Sequence, residues 1–90
     1  MKYNDYKEKT LLEDKKTEEE YEELKIRYEI IQSVINARKK AGITQKELAN
    51  RMNTKQSNIS RFENGEGNFS LKYLLKMAHC IGKNIKITFE

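Results

Sequence analysis

Proline is missing from this chain altogether, and cysteine and histidine occur once each among its 90 residues. Without proline, nothing obvious interrupts a helix. The lone Cys80 has no second thiol to bridge, which fits a reducing compartment and predicts a cytoplasmic protein. His79 and Cys80 have no second histidine, no CxxC and no clustered aspartate beside them, so no metal site is expected. His79 reads instead as a last-turn helix residue, and Cys80 as a small filler near the core. Glycine is scarce too, at four residues. No glycine-rich phosphate loop, Ser/His/Asp set or embedded carboxylate pair can be assembled. These absences argue against an enzyme and against a bound cofactor. No apolar run approaches the length of a membrane span, and Met1-Lys2-Tyr3-Asn4-Asp5 lacks the apolar stretch of a signal peptide. No membrane partner is expected.

What the chain has is charge, 36% of its residues, with a net +4 that conceals a split. Residues 1–35 carry seven Lys/Arg against ten Asp/Glu, a balance of −3. Residues 36–90 carry eleven against four, a balance of +7. A basic body suits the phosphate backbone, whose attraction supplies most of non-specific DNA binding. An acidic arm does not suit DNA; it suits a basic partner, or nothing. Ninety residues allow one small domain plus an appendage, with a thin core.

Periodicity and punctuation organise the rest. Residues 1–16 are polar apart from Tyr3, Tyr6, Leu11 and Leu12. A helical pattern begins near Thr17, where Glu18, Glu19, Glu20, Glu22 and Glu23 suit the positive end of a helix dipole. Tyr21, Leu24, Tyr28, Ile31 and Ile35 make its apolar seam. Arg38-Lys39-Lys40 and Gly42 mark its end. The run is either one long helix or two broken near Leu24-Lys25-Ile26. Later, Ser70 caps a helix whose inward residues are Leu71, Leu74, Leu75, Ala78 and Ile81, closed by Gly82. The tail Asn84–Glu90 alternates with period two, a short strand. A single strand lacks a ladder, so pairing of residues 84–89 with a second copy is the economical answer. A short extended tail packed on the helices is the alternative.

The most informative stretch lies between. Thr44 is an N-cap hydroxyl, with Glu47 three residues on to complete a capping box. Leu48, Ala49 and Met52 supply an apolar face. Asn53 tolerates a positive φ and permits a sharp turn. Thr54 is a plausible second N-cap. Ile59 and Phe62 then point inward, leaving Lys55, Gln56, Ser57, Asn58 and Arg61 outside. Two short capped helices joined by a tight turn are the sequence form of a helix-turn-helix. Its outer side chains are of the kinds that read base edges, and the bland alternative is that they solvate a surface helix. Lys40 and Lys46 are candidate phosphate contacts.

This stretch resembles the lambda-repressor-like (Xre) family. Thr44-Gln45-Lys46-Glu47-Leu48-Ala49 stands for its "T-Q-x-x-L-A" opening, and Gln56-Ser57-Asn58-Ile59-Ser60-Arg61-Phe62-Glu63-Asn64-Gly65 for its "Q-S-x-I-S-x-x-E-x-G" continuation. The resemblance implies base contacts from Lys55, Gln56, Ser57 and Arg61, and phosphate contacts from Gln45, Asn58 and Asn64. It also implies a structural ion pair between Arg38 and Glu63. Asn53 departs from the glycine many members carry at the turn. The segments from Tyr21-Glu22-Glu23-Leu24 to Gln45, and from Ser70 to the tail, are similar to HigA-type antitoxins. That resemblance implies a HigB/RelE-like mRNA-cleaving toxin as partner, a homodimer, and repression of the chain's own operon. The acidic segment before residue 30 is the natural toxin-binding surface, with Tyr6, Leu11, Leu12, Tyr21 and Leu24 as anchors.

The expected fold is therefore all-α. It is a lambda-repressor-like helix-turn-helix bundle of about five helices, with an extended acidic N-terminal helix and a short C-terminal β-strand. Residues 1–25 form the acidic arm and residues 26–90 the domain that binds double-stranded operator DNA. A plain Xre-family repressor without a toxin partner is the alternative, and it has no need of the arm.

Overall fold

Four helices form among residues 16–90, which the computed structural model describes: α1 (Lys16–Lys40), α2 (Gln45–Arg51), α3 (Gln56–Glu63) and α4 (Leu71–Ile81). Packing divides the chain into two units, residues up to Ile30 and Ile31–Glu90. α1 is a single helix, so no break occurs near Leu24.

In the first unit, Glu18, Glu19, Glu20, Glu22 and Glu23 are exposed, while Tyr21, Leu24, Arg27 and Ile30 are half-buried at steps of three. Arg27 takes the seam position expected of Tyr28, which lies on the exposed side. Tyr6, Leu11 and Leu12 lie outside the described residues.

In the second unit, capping decides where helices begin. Thr44 Oγ1 accepts from the Glu47 N–H at 3.0 Å, and the Thr44 N–H donates to Glu47 Oε1 at 3.1 Å, closing the capping box on α2. Those bonds to Thr44, chiefly the backbone one, hold the Glu47 carboxyl below its ordinary value of 4.5. A depressed folded value means the cap stabilises fully above that ordinary value and is lost as pH falls through the folded one. Glu47→Gln should therefore flatten the acid limb of a stability-versus-pH curve below about pH 4.5; an unchanged limb in thermal melts across that range would reject the assignment. Ser70 Oγ accepts from the Tyr73 N–H at 3.0 Å and starts α4 as expected.

One closure ends all four helices. The backbone N–H of Ile43, Thr54, Glu66 and Lys83 reaches back five residues to the carbonyls of Arg38, Ala49, Arg61 and Ala78, at 3.1, 2.9, 2.9 and 2.8 Å. Such a closure needs a left-handed residue just before the donor. Glycine fills that place three times, and Asn53, at φ 55°, does so after α2. Thr54 thus serves the closure of α2 instead of capping α3. Its hydroxyl accepts from Asn58 Nδ2 at 2.9 Å, and the N-cap of α3 is Lys55, without a side-chain cap.

α2 packs on α3 and α4. Leu48, Met52, Ile59 and Met77 are fully buried, each worth about 1.5–3 kcal/mol against exposure. That burial is what sustains helices of seven and eight residues, too short to persist alone. Arg51 Nη1 also donates to the Cys80 carbonyl at 2.9 Å, tying α2 to α4. Two expectations for α4 fail. Leu71 and Leu75 are 57% and 40% exposed, because the buried stripe is Leu74, Met77 and Ile81, rotated away from them.

No strand forms among the described residues, and residues 83–90 are without regular structure. The period-two pattern of the tail does not become a strand, because a strand needs a ladder partner and none occurs among the described residues. Ile87 and Phe89 are left exposed.

Candidate nucleic-acid interface

The anchor of the site is an ion pair from α1 to α3. Arg38 Nε donates to Glu63 Oε2 at 2.7 Å and Nη2 to Oε1 at 3.0 Å, while Nη1 donates to the Ile43 carbonyl at 2.9 Å. Both side chains are nearly buried, at 9% and 7% exposure. The fork geometry satisfies both carboxylate oxygens, as a buried pair requires. The Arg38–Glu63 pair implied by the resemblance is therefore present.

Glu63 also orients a third residue. Gln45 Nε2 donates to Glu63 Oε1 at 2.8 Å, and Gln45 Oε1 accepts from Gln56 Nε2 at 3.5 Å, a long bond. Gln45 is thus half-buried and built into the scaffold, and its free surface faces the first residue of α3. The starts of α2 and α3 come together through these two glutamines.

The outer face of α3 is polar and free. Ser57, Arg61 and Asn64 lie at steps of four and three on the side opposite Ile59 and Phe62. Among the described residues, the side chains of Lys55, Ser57, Arg61 and Asn64 make no hydrogen bond or ion pair, and all are exposed. Asn58 is exposed with its amide turned to Thr54. Lys40, at the end of α1, and Lys46, in the first turn of α2, are exposed as well. A basic residue at the uncapped N-terminus of α3 is electrostatically unfavourable by about 0.3–1 kcal/mol unless an anion approaches.

A groove of about 490 Å³ adjoins this face, lined by Asn58, Arg61, Glu66, Asn68, Ser70 and Tyr73 over the ring of Phe62. Phe62 meets Phe69 edge-on at 5.1 Å and Tyr73 at 6.2 Å between centroids. Burial raises the Tyr73 hydroxyl above its ordinary value. Sequence reasoning misses this cluster, because nothing local marks Phe69 or Tyr73 as neighbours of Phe62. No group of three or more His, Cys, Asp or Glu able to hold a metal occurs among the described residues.

The helix-turn-helix family model matches residues 34–87, more than half of the chain and all of the geometry just described. The chain belongs to the helix-turn-helix family of DNA-binding domains. It is also 39% identical over 70 residues to a Haemophilus influenzae protein named "Uncharacterized HTH-type transcriptional regulator", covering 78% of this chain and 71% of that one. No solved structure matches the chain. No helix among the described residues is long and apolar enough to cross a membrane.

Proposed function

We propose that this helix-turn-helix protein is a sequence-specific transcriptional repressor and the antitoxin of a type II toxin–antitoxin pair, acting by binding and not by catalysis. The observation that carries the DNA-reading half is the free polar stripe on α3, set on a scaffold locked by Arg38 and Glu63. A helix in the major groove offers such side chains to base edges, with glutamine suited to adenine and arginine or lysine to guanine. A phosphate near the start of α3 offsets the unfavourable pairing of Lys55 with the helix dipole, leaving its ammonium to reach a base edge. Gln45, Asn58, Asn64, Lys40 and Lys46 hold the backbone of the duplex. The name carried by the Haemophilus relative agrees with regulation of transcription.

A regulator of this kind acts as a two-fold dimer on a partly palindromic operator, its recognition helices about 34 Å apart. Residues 84–89 pair with those of a second copy, which gives the tail its missing ladder and covers Ile87 and Phe89. Sedimentation after deleting residues 84–90 should show the dimer lost.

The antitoxin half rests on the likeness to HigA-type sequences and on the row of exposed glutamates from Glu18 to Glu23. A small basic HigB/RelE-like ribonuclease in the cytoplasm is drawn to that surface by charge and held by Tyr21 and Leu24, with Tyr6, Leu11 and Leu12 as further anchors. Co-purification with the product of the neighbouring gene tests it. A complex lost on deleting residues 1–30 is expected, and a complex that survives the deletion rejects the arm. The second reading is a plain repressor with no toxin partner, and the relative's name speaks only of transcriptional regulation. Under that reading, deleting residues 1–24 leaves repression intact.

A further inference from the structure

Four carboxylates occur in residues 36–90: Glu47, Glu63, Glu66 and Glu90. Three have an evident station. Glu47 closes a capping box, Glu63 is held by Arg38 and Gln45, and Glu90 lies in the exposed tail. Glu66 is different. It follows the left-handed Gly65, is exposed, and its side chain makes no hydrogen bond or ion pair among the described residues.

Its position is nonetheless fixed. The Glu66 N–H donates to the Arg61 carbonyl at 2.9 Å, which sets Glu66 directly behind Arg61, and both residues line the groove together with Asn58. Arg61 and Asn58 belong to the face offered to DNA, so the groove opens on that side. An unneutralised carboxylate therefore stands beside the face that meets the duplex and its phosphates.

We propose that Glu66 limits the affinity of this surface for duplex DNA, an inference that rests on the DNA-reading function above. The carboxylate repels the phosphate backbone in every register, so the effect is sequence-independent and screened by salt. Affinity held down in this way keeps promoter occupancy responsive to the amount of protein, because a less tightly bound site saturates at a higher concentration.

The test is fluorescence anisotropy on the full chain with two labelled duplexes, one from its own promoter and one of random sequence. Glu66→Gln removes the charge at constant size and breaks no side-chain contact, so its thermal midpoint should match the parent. At about 50 mM salt it should bind both duplexes about fivefold more tightly, and the gain should fall below about twofold by about 200 mM. Glu66→Lys should gain more. Glu19→Gln changes net charge equally and should gain less than about twofold. Unchanged or weaker binding by Glu66→Gln, a gain on one duplex only, or an equal gain from Glu19→Gln overturns the assignment. If the parent binds neither duplex at low salt, the DNA-reading function falls with it. If the parent binds and Glu66→Gln does not tighten, only the role of Glu66 is lost.

Discussion

Replacing Arg38 by alanine should lower the free energy of unfolding by about 3–5 kcal/mol, the cost of leaving one member of a buried pair without its counterion. For a domain of this size that corresponds to a fall in Tm of more than about 12 °C. The loss is large because Arg38 satisfies three groups at once, both oxygens of Glu63 and the carbonyl of Ile43. Glu63→Ala should cost as much from the other side, and it also releases Gln45. The double replacement Arg38→Ala with Glu63→Ala should cost well under the sum of the two single losses, since no charge is then stranded. Chemical denaturation of the four proteins checks the cycle. Near-additive losses in the double variant would mean that the two residues act independently, against the bidentate geometry.

The second large effect concerns sequence choice. Gln56→Ala and Arg61→Ala should each erase about 1–3 kcal/mol of discrimination between the preferred base and its alternatives. At the upper end this exceeds a hundredfold change in the ratio of affinities. Lys40→Ala and Lys46→Ala should instead weaken all sequences alike and flatten the salt dependence by about 0.9 per residue. Mobility shifts on a set of single-base operator variants separate the two classes. Lysine variants that alter base preference, or glutamine and arginine variants that do not, would invert the assignment.

What could be read from the chain, and what could not, follows the range of the interaction. The Thr44 box, the Ser70 cap and the closing residues Gly42, Asn53 and Gly82 depend on partners within a few positions, and each stands where expected. Thr54 misled because two local roles compete for it; the closure of α2 takes its backbone, and α3 starts two residues later. Leu71 and Leu75 misled because leucine is apolar wherever it stands, and only packing against α2 decides which stripe of α4 is inside. The tail has the alternation of a strand, yet no ladder partner for it occurs among the described residues. For Gln45 the family resemblance alone implies a phosphate contact. Its bond to Glu63 spans 18 positions and depends on how α2 meets α3. Glu66 carried no local signal, since an exposed glutamate in a loop is ordinary until its neighbours are known.

The most direct measurement is an anisotropy titration of a labelled promoter fragment, with a shuffled duplex beside it, repeated with Arg61→Ala. The account predicts saturable, salt-sensitive binding that prefers the promoter, and a preference that Arg61→Ala erodes while Tm is unchanged. Failure to bind any promoter fragment at low ionic strength, or a preference that Arg61→Ala leaves intact, would contradict it.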